Sequence, residues 1–102
     1  MKPVAQEKVL HAIQESNPLA LFADGLEKAI IGIAIVWGDN GQKHVVAYSV
    51  QKVIEIFMKE NDWSFDEALE YAEYNTFGAY VGENTPVFVD ELYNMPEEMY
   101  EL

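Results

Sequence analysis

The feature that most constrains the fold of this chain is a long apolar run that ends in a turn sequence. Residues 26–37 place apolar side chains on both faces of a strand, with Gly32 in the middle. A strand that is apolar on both faces is typical of the inside of a layered protein, so we expect this one to be buried. A glycine inside a strand indicates a bulge or a close backbone approach.

The turn sequence that follows this run is Asp39-Asn40-Gly41. Asn-Gly readily supplies the two positive φ angles of a type I′ turn, which is a common connection in β-hairpins. The sequence therefore predicts an antiparallel hairpin that joins residues 31–37 to residues 44–48.

Apolar residues at helical spacing predict helices on both sides of the hairpin. The first covers residues 3–16, with Pro3 at a favourable first position, and a single helical turn over residues 18–25 is stopped by Gly25. Ser49 can cap a second long helix over residues 50–60, whose apolar side chains recur at i, i+3, i+4 and i+7.

The next helix has the best-specified start in the chain. Ser64 and Glu67 match the S-x-x-E capping box, in which each residue binds an otherwise unpaired amide of the other. We expect this helix to cover residues 65–77 and to end at Gly78. Its predicted buried residues are Phe65, Ala68, Leu69 and Ala72.

A short strand over residues 87–89, which Pro86 precedes, completes the predicted elements. The order is α-β-β-α-α-β, and it indicates a small two-layer α+β domain with the antiparallel hairpin packed under helices. We expect residues 1–90 to form this single domain and residues 91–102 to form an acidic C-terminal tail.

The charges of the chain are strongly asymmetric. The 102 residues include 18 acidic and 6 basic residues, for a net charge of −12. Residues 1–54 contain five acids and five lysines, whereas residues 55–102 contain thirteen acids and Lys59. All basic residues are lysines, so the chain lacks the bidentate fork of arginine. A chain of this charge repels polyanions, which argues against direct nucleic-acid binding.

The composition also indicates the cellular compartment in which the protein is found. Without cysteine the chain has no disulfide and no thiolate metal site. The most apolar stretch, residues 29–37, is about half as long as a membrane-spanning helix. We therefore expect a cytoplasmic protein that does not bind a membrane, in the host cell if the chain is encoded by a phage.

The first candidate site is the outer face of the helix that begins at Phe65. It consists of Glu67, Glu70, Tyr71, Glu73 and Tyr74. One interpretation is a solvated face that keeps a small protein soluble. The other is a docking surface for a basic partner protein, because aromatic residues are enriched at interfaces.

The second candidate is the segment of residues 73–88, which is dense in glycine, asparagine and proline. It resembles a signature, E-[YF]-N-x-x-G-[AS]-[YW]-V-G-E-x-T-P-[VI]-F, of a family of small proteins from bacteriophages and bacteria. The matching residues are Glu73, Asn75, Gly78, Ala79, Tyr80, Val81, Gly82, Glu83, Thr85, Pro86, Val87 and Phe88.

The resemblance extends over most of residues 17–90. It includes Asp24-Gly25, Ile31-Gly32, residues 46–48 and residues 53–58, where the family more often has a cysteine before Ile-Glu-Ile-Leu. It implies an origin in a phage or mobile element, and it implies no activity.

The residues of this segment leave two interpretations open, a structural turn and a ligand-binding loop. Chemistry there would use Glu73, Asn75, Glu83, Thr85 and His44, but their spacing matches no metal site or nucleophile–base pair. Gly78 and Gly82 lack the lysine and serine of a phosphate-binding loop. His11 and His44 are expected on the exposed surface. We predict no catalytic residue, no metal site and no cofactor.

The sequence thus favours a non-enzymatic protein that binds a host protein through its acidic second half. An inhibitor that mimics nucleic acid, such as an anti-restriction or anti-CRISPR protein, is the most concrete form. One alternative is a small-ligand binder or enzyme that uses residues 73–86. Another is a structural accessory protein that forms a homodimer through a sheet edge or through the tail, whose alternating acidic and apolar residues are typical of docking segments.

Overall fold

Three α-helices and three strands make up the part of the chain that the computed structural model describes, residues 4–39 and 41–92. The helices are α1 (Val4–Ser16), α2 (Val50–Asn61) and α3 (Phe65–Ala72), and the strands are β1 (Ile30–Gly38), β2 (Gly41–Ser49) and β3 (Val87–Val89). A 3₁₀ turn over Glu27–Ala29 precedes β1, and a π-helical segment over Glu73–Phe77 continues α3. The predicted α+β class and element order are confirmed.

The strands form one mixed sheet in the order β1-β2-β3. The first two pair antiparallel from Ile30 with Tyr48 to Gly38 with Gly41, and this confirms the hairpin. Gly41, predicted as the second residue of the turn centre, already belongs to β2, where it pairs with Gly38 and has a φ of 100°. Position 40 itself lies outside the described residues. β3 adds in parallel to β2 beside residues 47–49.

The position of β1 in the sheet contradicts the expectation that it is buried. It is an edge strand, and the central strand is β2, whose Val45, Val46 and Tyr48 are fully buried. Ile30 at the start of β1 is in the core, but Ile35 is 56% exposed and Trp37 is 77% exposed. An edge strand has a neighbour on one side only, and this one extends past the core towards the hairpin tip.

The predicted irregularity at Gly32 is confirmed. The pairing register shifts between Ile30 and Gly32, so Ile31 is the extra residue of a bulge. From Gly32 to Gly38 each residue has a partner in β2 without interruption. The bulge therefore separates the buried start of β1 from a regular strand.

One apolar cluster joins α1, the first two strands and α2. Its buried residues are Ile13, Ala20, Leu26, Ala29, Ile30, Val46, Tyr48 and Val53. Tyr48 links it to the loop before the 3₁₀ turn, because its hydroxyl accepts a hydrogen bond from the Ala23 amide at 2.8 Å. Its ring stacks on Phe88 of β3 with ring centroids 5.5 Å apart.

Both predicted helix caps are present. The Ser49 hydroxyl accepts from the Lys52 amide at 3.2 Å and begins α2. At α3 the Ser64 amide donates to Glu67 Oε1 at 2.9 Å, and the Glu67 amide donates to Ser64 Oγ at 3.2 Å. Because both bonds are present, the capping box is confirmed. It could be predicted from the sequence because it involves only residues close along the chain.

Two local expectations are wrong. Residues 18–25 form two turns with irregular chain between them rather than a helical turn, although Gly25 does have a positive φ of 83°. Phe65, predicted to be buried, is 45% exposed, whereas Ala68 and Ala72 are buried as predicted and Leu69 is half-buried. Gly78 ends the helical segment as predicted.

The predicted tail lies largely outside the described residues, since residues 93–102 are not among them. Its first part is attached to α2. The Glu91 amide donates to Gln51 Oε1 at 3.0 Å, and Gln51 Nε2 donates to Asp90.

Candidate protein-binding surface

An acidic surface runs along α3 and the π-helical segment after it. We call it the α3 face and define it by Glu67, Glu70, Tyr71, Glu73 and Tyr74, all of which are exposed. Four of them recur at i, i+3, i+4 and i+7, which places them along one side of the helix. Residues 65–77 contain no lysine, so the carboxylates of this face have no cation within their own segment.

Two members of the α3 face also have structural contacts. Tyr71 was expected on the side of the helix opposite the core, but it packs on other aromatic residues. Its ring centroid lies 5.1 Å from that of Phe57 and 5.1 Å from that of Trp63, and Tyr71 is 43% exposed. Glu67 closes the capping box. Glu70, Glu73 and Tyr74, which is 83% exposed, are therefore the members whose side chains are available to a partner.

Three of the lysines share one groove. Lys28, Lys52 and Lys59 line a groove of about 430 Å³ between the 3₁₀ turn and α2, where Glu27, Glu55 and Glu60 accompany them. Lys43 Nζ on β2 lies 3.9 Å from Glu83 Oε2. None of these four lysines belongs to the α3 face.

The segment with the family-like signature forms a turn between the π-helical segment and β3. Gly82 has a φ of 115°, which only glycine adopts without strain. The Thr85 hydroxyl donates to the Gly82 carbonyl at 2.7 Å and accepts from the Val81 amide at 2.9 Å. Gly82 and Thr85 therefore hold the shape of this turn.

Polar contacts attach this turn to the rest of the protein. Asn17, just after α1, donates from Nδ2 to Asn84 Oδ1 at 2.9 Å and to the His44 carbonyl at 2.8 Å. The Leu21 amide donates to the Asn84 carbonyl at 3.1 Å. His44, expected to be exposed, is half-buried. His11 is exposed as expected, and its Nε2 lies 3.2 Å from Glu15 Oε1.

The polar residues considered for chemistry do not converge on one point. Glu73 and Tyr80 border a groove of about 520 Å³, Asn75 borders one of about 420 Å³, and Glu83 borders one of about 260 Å³. Thr85 and Pro86 border all three and form the ridge between them. General acid–base catalysis needs its groups within hydrogen-bond reach of one substrate, and these groups are dispersed.

The groove of about 420 Å³ has more apolar lining residues than the other two. It lies between the loop after α1, the helices α2 and α3, and the turn that precedes β3, and its volume is within the range of small-molecule sites. Its larger apolar side chains are Leu21, Phe22, Leu26, Phe57, Tyr71, Val81 and Phe88.

Two kinds of feature are absent from residues 4–39 and 41–92. No group of three or more histidine, aspartate or glutamate side chains is arranged to hold a metal ion. None of the helices in these ranges is both long enough and apolar enough to cross a membrane.

Sequence reasoning missed the exposed apolar surface at the end of β1. Ile35 and Trp37 were expected inside the molecule, and their exposure depends on β1 being at the edge of the sheet. No local sequence pattern indicates the order of strands in a sheet, so this exposed surface could not be predicted from these residues.

No protein-family model, curated protein or solved structure matches this chain. The interpretation of the surface therefore depends on its geometry and chemistry.

Proposed function

We propose that this chain is a phage-type accessory protein that binds a basic protein through the α3 face. The observation that carries the proposal is the exposed Glu70, Glu73 and Tyr74 on a helical segment without a single cation. Carboxylates in such an arrangement attract a positively charged surface, and an exposed tyrosine supplies apolar contact area with one polar group.

The partner in this proposal is a host protein that binds nucleic acid, such as a restriction or CRISPR effector. Such proteins have basic grooves that neutralise phosphates, and a row of carboxylates can occupy the same groove. Lys28, Lys52 and Lys59 lie in a separate groove, where three glutamates accompany them. The protein acts without catalysis, and its effect on the host protein is inhibition by occupancy.

The test is capture of host proteins by the immobilised chain at low and at high salt, followed by identification of the retained proteins. We expect a nucleic-acid-binding protein to be retained at low salt and lost at high salt, because salt screens exposed charges. The variant Glu70→Lys/Glu73→Lys should lose this protein. Glu67 is left unchanged because its replacement would also remove the capping box.

The matched control is Glu7→Lys/Glu15→Lys, which makes the same change of charge on exposed residues of α1. It should retain the partner. If both double variants bind alike, or if retention does not depend on salt, the proposal is wrong.

The second candidate is a small-ligand binder, which the apolar groove of about 420 Å³ favours. A thermal-shift screen with nucleotides and metabolites tests it. A ligand present at about 100 times its dissociation constant stabilises a protein by about 2.7 kcal/mol, which is readily measured.

A further inference from the structure

One edge of β1 has no neighbouring strand within the described residues. β1 pairs with β2 on one side, and residues 32–38 have no further strand beside them within the described ranges. The start of the strand is protected, because Gln6 Nε2 donates to the Ile30 carbonyl at 3.0 Å. An edge of this kind presents unpaired amides and carbonyls that can pair with another strand.

Natural proteins usually block such edges with charges, prolines or bulges. Residues 32–38 contain no ionisable side chain and no proline, and the bulge at Ile31 precedes them. The carboxylate of Glu83 lies near Gly38, at one end of this segment. In a chain with a net charge of −12, this uncharged strand belongs to the neutral half. Two copies that pair along this edge therefore bring no ionisable side chain of residues 30–38 together.

The order of residues on this edge is self-complementary. Gly32-Ile33-Ala34-Ile35-Val36-Trp37-Gly38 reads similarly in both directions, with glycines at the ends and Ile35 in the centre. In an antiparallel pair centred on Ile35, Gly32 lies opposite Gly38, Ile33 opposite Trp37 and Ala34 opposite Val36. Aromatic and β-branched residues directly opposite each other are favourable pairs in antiparallel sheets.

The exposed apolar side chains lie on one face of the sheet, where an added strand would place its own side chains beside them. The β2 partners of Ile33, Ile35 and Trp37 are Val46, His44 and Gln42, so the three share one face of the sheet. Ile33 contacts the core, and Ile35 and Trp37 continue this row into solvent. A second strand would place the partner's Trp37 beside Ile33 and the partner's Ile35 beside Ile35.

We propose that two copies of this chain form a two-fold symmetric dimer by antiparallel pairing of β1 with β1, centred on Ile35. The two mixed sheets then join into one sheet of six strands, and the α3 faces remain open to other partners. The interface is isologous, as expected for a symmetric dimer.

The test is the solution mass of the full chain by light scattering or sedimentation over a range of concentrations. Wild type should approach the mass of a dimer as concentration rises. Ile35→Lys and Ile35→Glu each place like charges opposite each other, and each should raise the dimer dissociation constant by about tenfold or more. An equimolar mixture of the two variants should dimerise again, because lysine then lies opposite glutamate.

The matched control is Leu19→Lys, which introduces a lysine at an apolar residue that is 69% exposed and belongs to none of the strands. It should dimerise like wild type, and circular dichroism should show that every variant is folded. The proposal is overturned if wild type remains a monomer, if either single variant dimerises like wild type, or if the mixture remains monomeric. None of these results affects the proposal for the α3 face.

Discussion

At the scale of single residues, Tyr48 is the side chain with the most consequences for stability. It is fully buried, stacks on Phe88 and accepts a hydrogen bond from the Ala23 amide. Burial raises the pKa of the Tyr48 phenol, the hydrogen bond from Ala23 offsets part of this effect, and the nearby Glu27 and Asp24 carboxylates raise the pKa further. The phenol is therefore held neutral in the folded protein.

This predicts a loss of stability at alkaline pH. In the unfolded chain a tyrosine ionises at about pH 10, whereas folded Tyr48 keeps its proton to higher pH, so the native state binds more protons in this window. The contribution of Tyr48 is complete below about pH 10 and is lost as pH rises towards the folded pKa. Urea unfolding at about pH 8 and about pH 10.5 measures it.

Tyr48→Phe should reduce this alkaline loss. At neutral pH the same variant should be less stable by about 1–3 kcal/mol, because it leaves the Ala23 amide without its acceptor. Tyr74→Phe is the matched control, since it removes a phenol that is 83% exposed and leaves Tyr48 in place. An unchanged pH dependence in Tyr48→Phe would contradict the assignment.

At the scale of elements, α3 depends on its cap more than the other helices do. It has eight residues before the π-helical segment, and isolated helices of this length are not stable. The capping box provides two hydrogen bonds, and the buried Ala68 and Ala72 provide packing against α2. The same cap positions the carboxylates of the α3 face.

Removal of the cap should therefore weaken the helix that carries the proposed site. Ser64→Ala should lower the free energy of unfolding by about 1 kcal/mol, which for a domain of this size lowers Tm by about 4–8 °C. Thermal unfolding followed by circular dichroism measures the change. Ser16→Ala, at an exposed position at the end of α1, should have little effect, and equal effects of the two variants would argue against the cap.

At the scale of the whole molecule, three surfaces differ in charge. The α3 face is acidic, the groove between the 3₁₀ turn and α2 holds three lysines among glutamates, and residues 30–38 are uncharged. Repulsion among clustered carboxylates destabilises a folded protein. The arrangement is consistent with separate surfaces for a basic partner and for self-association.

The predicted consequence is that sodium chloride stabilises the fold. The Debye length falls from about 30 Å at 0.01 M to about 10 Å at 0.1 M, so repulsion within the acidic region weakens. The free energy of unfolding should rise over this range. The rise should be smaller in Glu70→Lys/Glu73→Lys than in Glu7→Lys/Glu15→Lys, because only the first pair lies in the acidic region. Equal salt dependence in these two variants would show that only total charge matters.

The sequence alone determined the features that depend on neighbouring residues. The caps at Ser49 and Ser64, the hairpin and the bulge near Gly32 were predicted correctly because their hydrogen bonds and backbone angles are set by residues close along the chain. The α+β class followed from their order. The acidic composition of the α3 face could also be read directly.

Only the tertiary structure decided which surfaces are covered. An apolar strand has the same sequence pattern at the centre of a sheet and at its edge. Because β2 pairs with both β1 and β3, β1 is at the edge, and Ile35 and Trp37 are exposed there. Tyr71 likewise packs on Phe57 and Trp63 because α2 and α3 are neighbours in space. Burial is a property of contacts between residues distant in sequence, and local patterns carry no information about which of those contacts form.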